Sequence, residues 1–237
     1  ATWITATGSA SWSATLSSLP DDLGQTFAVR ARDNAGNVSA PEVRSFDVDT
    51  AAPTLAVTGG NTAPTLVYRS SDITLTGTAS DANGDPTVTV SYSKDGGSDV
   101  TIFTGVTSSW TTTLDLDAGP DNVAGNGDDG HIGDGEFVFT IIAEDTVGKT
   151  TELTRSVRID TAPPSAEVTS VSPVVEGTTV NGVVTVRALL ADDIALESTE
   201  WALLAQSAGA PTEGNYAAVT GSKTAPQFVI DTTAASA

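Results

Sequence analysis

Carboxylates are the main reactive groups in this chain. Its 237 residues include 21 Asp and 9 Glu against 10 Lys plus Arg, one His and no Cys, for a formal net charge of −20 and a pI near 4.1. Short carboxylates on turns are hard oxygen donors of the kind that Ca2+ gathers at six to eight positions. The densest run, residues 115–136, holds seven acids and no Lys or Arg. Its candidate ligands are Asp117, Asp121, Asn122, Asn126, Asp128, Asp129, Asp134 and Glu136. Glycines along the run let the backbone turn sharply enough to aim several oxygens at one ion. Like charges this close repel, and a long irregular loop is mobile unless something orders it, so a divalent cation would serve both needs. No Glu falls at the twelfth position of an EF-hand, and a solvated acidic hairpin is the competing reading. Asp81, Asn83 and Asp85 form a second, weaker set, because Pro86 follows where a calcium loop wants Gly and an Asx-rich turn explains the residues as well.

Other chemistries have little to draw on. A nucleophile and base pair cannot be assembled readily from one His, no Cys and Ser residues lacking a G-x-S-x-G turn, so the chain is not expected to be an enzyme. With 5% aromatic residues, an aromatic-lined glycosidase cleft is poorly provided for. His131, alone among carboxylates, reads as an exposed loop residue rather than a transition-metal ligand. The acidic balance excludes unaided binding to nucleic acid or to an anionic membrane. No stretch approaches the roughly 20 apolar residues of a membrane span, so direct insertion is not expected. The absence of Met and of a signal peptide reads as a piece of something longer.

The elements that position these groups repeat. Phe27, Val29, Ala31, Asp33 and Gly36 match Phe139, Ile141, Ala143, Asp145 and Gly148 at an offset of 112 residues. Val48-Asp49-Thr50 through Pro53 matches Ile159-Asp160-Thr161 through Pro164 at 111, and Ile73 through Asp81 matches Val184 through Asp192 at 111. Trp12 and Trp110 lie only 98 apart, so the second copy carries about 14 extra residues, which are the acidic loop. Residues 1–50 therefore correspond to the later half of a repeat, 51–164 to a complete repeat and 165–237 to the earlier part of a third. Within each, apolar and polar residues alternate over five to eight positions, the period of strands with one buried face. Turns rich in Gly, Asp, Asn and Pro separate the runs, which predicts an all-β fold of about seven antiparallel strands per repeat in two packed sheets. Residues 187–203 are read as strand, turn, strand rather than helix. Trp12 and Trp110 are expected in or near the core.

The pattern F-x-V-x-A-x-D-x-x-G, a strand, then D-T-x-x-P resembles the end of the bacterial immunoglobulin-like repeats strung in tandem in large surface adhesins. The resemblance implies tandem immunoglobulin-like β-sandwich modules, the first and last incomplete, with Asp49 to Pro53 and Asp160 to Pro164 as joins between modules. Proline at each join makes it short and semi-rigid. Calcium-bridged tandem repeats of this kind would use Asp33, Asp47 and Asp49 at the first join, although Arg158 stands in place of the first linker acid at the second. The acidic loop also resembles the Asp-rich calcium loops of extracellular repeat proteins, and Gly125 to Asp129 partly resembles the glycine-rich calcium nonapeptide. The implied function is a non-enzymatic spacer of a bacterial cell-surface or extracellular protein, stiffened by Ca2+ and partnered by neighbouring repeats, with a host or surface ligand possible elsewhere. Two alternatives stand beside it. The half-repeats of successive copies could complement each other head to tail in a filament or sheath. A carbohydrate-binding accessory module would instead need exposed aromatics, for which Trp3, Tyr68, Phe103 and Tyr216 are the candidates.

Overall fold

The computed structural model describes residues 3–7, 11–172 and 182–202, together with the strand backbones at 217–218 and 227–231. Every regular element among them is a strand. The chain divides into two compact units, Ala1–Ile159 and Asp160–Ala237.

The first unit contains a hairpin, β1 (Asp22–Val29) with β2 (Glu42–Val48), and a complete immunoglobulin-like β-sandwich. One sheet of the sandwich joins β3 (Thr54–Gly59), β5 (Ile73–Ser80) and β8 (Ser109–Leu114). The other runs in the order β4 (Val67–Arg69), β10 (Thr150–Ile159), β9 (Gly135–Glu144), β6 (Thr87–Lys94) and β7 (Val100–Val106). The module thus has eight strands where about seven were expected, and the extra one, β4, pairs parallel with β10. The alternation explains the burial. Phe137, Phe139, Ile141 and Ala143 of β9 face Leu75, Val88, Val90 and Leu114 across the core while the intervening residues face out. Trp110 lies over Gly77, where an added Cβ would stand 2.2 Å from the indole and 2.4 Å from the Ala56 carbonyl. Glycine is required there because the ring occupies the space of any side chain. Arg155, one of the few buried polar residues, donates from Nε to the Asn61 carbonyl at 3.0 Å and from a terminal nitrogen to that of Thr62 at 3.4 Å, clipping the loop after β3 to β10.

The second unit holds β11 (Ser165–Ser172), β12 (Val183–Ala191) and β15 (Gln227–Asp231) as one sheet, and β13 (Glu200–Trp201) paired with β14 (Ala217–Ala218). Residues 187–203 follow the strand, turn, strand reading as far as they are described, since β12 gives way to a turn at Asp192 and the chain resumes as β13. One core expectation fails. Trp110 is buried, but Trp12 is 43% exposed, stacked on Phe27 with ring centroids 5.9 Å apart. The burial of Trp110 comes from β3 and β5, and Trp12 has no equivalent of that sheet beside it among the described residues.

Candidate metal centre

The turn between β9 and β10 has the sequence Asp145-Thr-Val-Gly148-Lys149, and its geometry explains the residue types. Asp145 Oδ1 accepts from the amides of Val147 and Lys149 at 2.9 and 2.8 Å, while Gly148 takes a left-handed φ of +86°. The hairpin turn between β1 and β2 repeats this, with Asp33 Oδ1 accepting from the amides of Ala35 and Asn37 and Gly36 at φ +94°. The two turns differ at the second oxygen. Asp33 Oδ2 accepts from the Asn37 side chain at 2.8 Å, whereas Lys149 replaces that amide in the other turn and Asp145 Oδ2 is buried without a hydrogen-bond partner. The bonds from Asn37, side chain foremost, hold the Asp33 carboxyl below the usual carboxylate range.

Asp145 Oδ2 is not alone. Asp49, in the segment after β2, buries both carboxylate oxygens with no hydrogen-bond partner, and Asp81, after β5, completes a group whose ligand oxygens lie within 4.8 Å of one another. All three residues are partly buried, and Asp81 Oδ1 is anchored by the Asn83 amide at 2.8 Å. In the second unit Asp160, Asp192 and Asp193 form a like group, Asp192 Oδ2 accepting from the amides of Ile194 and Ala195 at 3.1 and 2.7 Å. Asp160 and Asp192 stand 111 residues after Asp49 and Asp81. Two oxygens bound to one Ca2+ at about 2.3–2.6 Å can be at most about 4.6–5.2 Å apart, so the spacing fits a shared ion. A donor set of carboxylates alone suits a hard cation. Buried carboxylates lacking hydrogen-bond partners are costly unless a positive charge is near.

The residues expected from sequence are placed differently. Of the join set Asp33, Asp47 and Asp49, only Asp49 enters a carboxylate group, since Asp33 is spent on its own turn and Asp47 Oδ1 accepts from the Gly24 amide at 2.8 Å inside the hairpin. The loss of an acid at Arg158 therefore leaves the second group intact, and Arg158 lies 3.7 Å from Glu136. From the set Asp81, Asn83 and Asp85, Asp81 enters; Asn83 donates to Asp21 Oδ1 at 3.2 Å, and Asp85 is exposed. Asp145, Asp160, Asp192 and Asp193 were missed as ligands. The 111-residue equivalence of Asp49 with Asp160 and of Asp81 with Asp192 was the signal that could have found them.

The acidic loop orders itself through hydrogen bonds. Asp121 accepts from the Val123 amide and the Asn126 side chain, Asp129 accepts from the Gly125 amide, and Asn126 accepts from the Asp128 amide. Asn122 at φ +59° bridges the Asp115 amide and the Thr113 carbonyl, and the Asp117 carbonyl accepts from Gly130. Leu116 and Ala118 are buried beneath, and the Tyr92 hydroxyl donates to the Pro120 carbonyl at 2.6 Å. Glu136 leads into β9 and its amide donates to Asp95, while Asp134 lies just before it. Among the described residues, no three carboxylates of this loop come within 4.8 Å of one another. His131 is exposed and its Nδ1 accepts from the Gly133 amide. Of the candidate sugar platforms, Trp3 and Tyr68 are exposed and Arg30 lies 4.0 Å over the Trp3 ring, Phe103 packs against the core, and Tyr216 lies outside the described residues.

Residues 128–228 match the model of the bacterial Ig-like domain, group 3, from the acidic loop through β9 to β12 and into β15. No curated protein matches the chain. Domains of the matched kind are generally structural and non-enzymatic, and typical of extracellular or surface proteins. No helix here is long and apolar enough to cross a membrane.

Proposed function

We propose that this chain is a spacer segment of a bacterial surface adhesin, built from immunoglobulin-like modules and stiffened by Ca2+ at the Asp49, Asp81, Asp145 group and its counterpart at Asp160, Asp192, Asp193. The observation that carries this reading is the buried Asp49 carboxylate, which has no hydrogen-bond partner among the described residues and lies within ligand spacing of two further carboxylates. Asp49 belongs to the segment leading into the sandwich, whereas Asp81 and Asp145 sit on turns after β5 and β9. An ion shared among them ties that segment to two turns of the module. Without it, unit charges about 4 Å apart repel by about 1 kcal/mol in water and about 4 kcal/mol at an effective dielectric constant of 20. The ion converts this repulsion into attraction, and the segment loses freedom to swing.

The test is a calorimetric Ca2+ titration of the full chain with thermal melts in Ca2+ and in chelator. Saturable binding should raise stability by about 2.7 kcal/mol at a hundredfold excess over Kd. Asp49→Asn should abolish binding at the first group, whereas Asp128→Asn with Asp129→Asn should leave it intact. Heats lost only in the loop variant would place the ion in residues 115–136 instead, and no heat at all would leave a spacer held by packing alone.

A further inference from the structure

The molecule carries two open apolar faces that its complete module closes against each other. The first is the β1–β2 hairpin. Phe27, Val29, Phe46 and Val48 are only half-buried, while their repeat equivalents Phe139, Ile141, Val157 and Ile159 are sealed beneath β3, β5 and β8. The second face is the β11–β12–β15 sheet, the repeat of the covering sheet. β11 exposes every residue, and Val168 is 62% exposed where its equivalent Val57 is 8% exposed. Edges correspond as well. β9 is flanked by both β10 and β6, whereas β1 pairs with β2 alone. β13 stands at the repeat position of β6.

We infer that the hairpin docks the β11-to-β15 half of a second copy of this chain, completing a sandwich between two molecules. The register follows from the complete module, where Thr89 is opposite Ile142 and Val90 is opposite Ile141. Transposed by the repeat offsets, Glu200 of one copy falls opposite Arg30 of the other, and Trp201 opposite Val29. This sets an exposed acid against an exposed base in a chain with only 10 Lys plus Arg. A cross-strand pair of opposite charges selects register as well as adding stability. Because each copy offers one hairpin and one complementary half, the association is head to tail and does not close at two. This inference does not depend on Ca2+ at the carboxylate groups.

The native chain has no cysteine, so the double variant Arg30→Cys, Glu200→Cys reports this contact alone. Directly opposed strand residues have Cα atoms about 4.5–5.5 Å apart, within the range a disulfide spans. Under mild oxidation the full-length double variant should form reducible dimers and longer ladders. The pair Arg30→Cys, Ser198→Cys, two residues out of register, should not. Sedimentation of the unmodified chain should show mass rising with concentration. Arg30→Glu should weaken that association by about fivefold, and Arg30→Glu with Glu200→Arg should restore it. Monomeric sedimentation at all concentrations, equal cross-linking by both pairs, or a disulfide formed within single chains would each overturn the inference.

Discussion

The Asp49, Asp81, Asp145 group makes a sign prediction that ordinary surface acids do not. In chelator, Asp49→Asn should stabilise the first unit by about 1 kcal/mol, because it removes repulsion and no hydrogen bond to Asp49 is lost. In Ca2+ the same change should destabilise it, and paired melts show the reversal. Asp145→Asn tests the same point with its turn retained, since the amide oxygen can still accept from Val147 and Lys149. Tyr92 supplies a pH prediction at the acidic loop. Burial, and then the charge of Asp121, pushes its hydroxyl above the ordinary value of 10.0. The folded state thus holds this proton where the unfolded chain releases it, so stability is full below about pH 10 and falls as pH rises toward the folded-state value. Tyr92→Phe should remove this alkaline loss while costing about 1 kcal/mol at neutral pH through the bond to Pro120, measured by urea melts across pH.

Elements differ in how firmly they are held, and glycines at close approaches show where the packing is tight. Gly77→Ala would drive a methyl group into Trp110 and the Ala56 carbonyl, for an expected loss of about 1–3 kcal/mol in equilibrium unfolding. Gly84→Ala, on an open turn, meets no atom within 4 Å and separates the effect of crowding from that of backbone conformation. Strand protection should follow burial. Hydrogen exchange should be slowest in β6, β9 and β10, which share the core sheet, and fastest in β11, all of whose residues are exposed. Slow exchange in β11 at high concentration alone would be the signature of the intermolecular sandwich.

At the scale of the molecule, two compact units and one covered core predict unfolding in more than one step. Calorimetry should resolve a cooperative transition for the sandwich and an earlier one for the second unit, with Ca2+ shifting both if both carboxylate groups bind. The sandwich was legible in the chain because strand burial is written locally. Phe137, Phe139, Ile141 and Ala143 alternate with outward residues, and the 111-residue period shows where each module's strands recur. The carboxylate group was not legible in the same way. Asp49, Asp81 and Asp145 are separated by 32 and 64 residues, and their meeting depends on how the segment after β2 and the turns after β5 and β9 are placed by strand register. Local acid density pointed instead to residues 115–136, where the side chains satisfy their own loop's amides. Periodicity records which face a residue takes, since that depends on its neighbours in the chain. Which distant carboxylates converge depends on the register and length of every strand between them, and only the folded sheets set that.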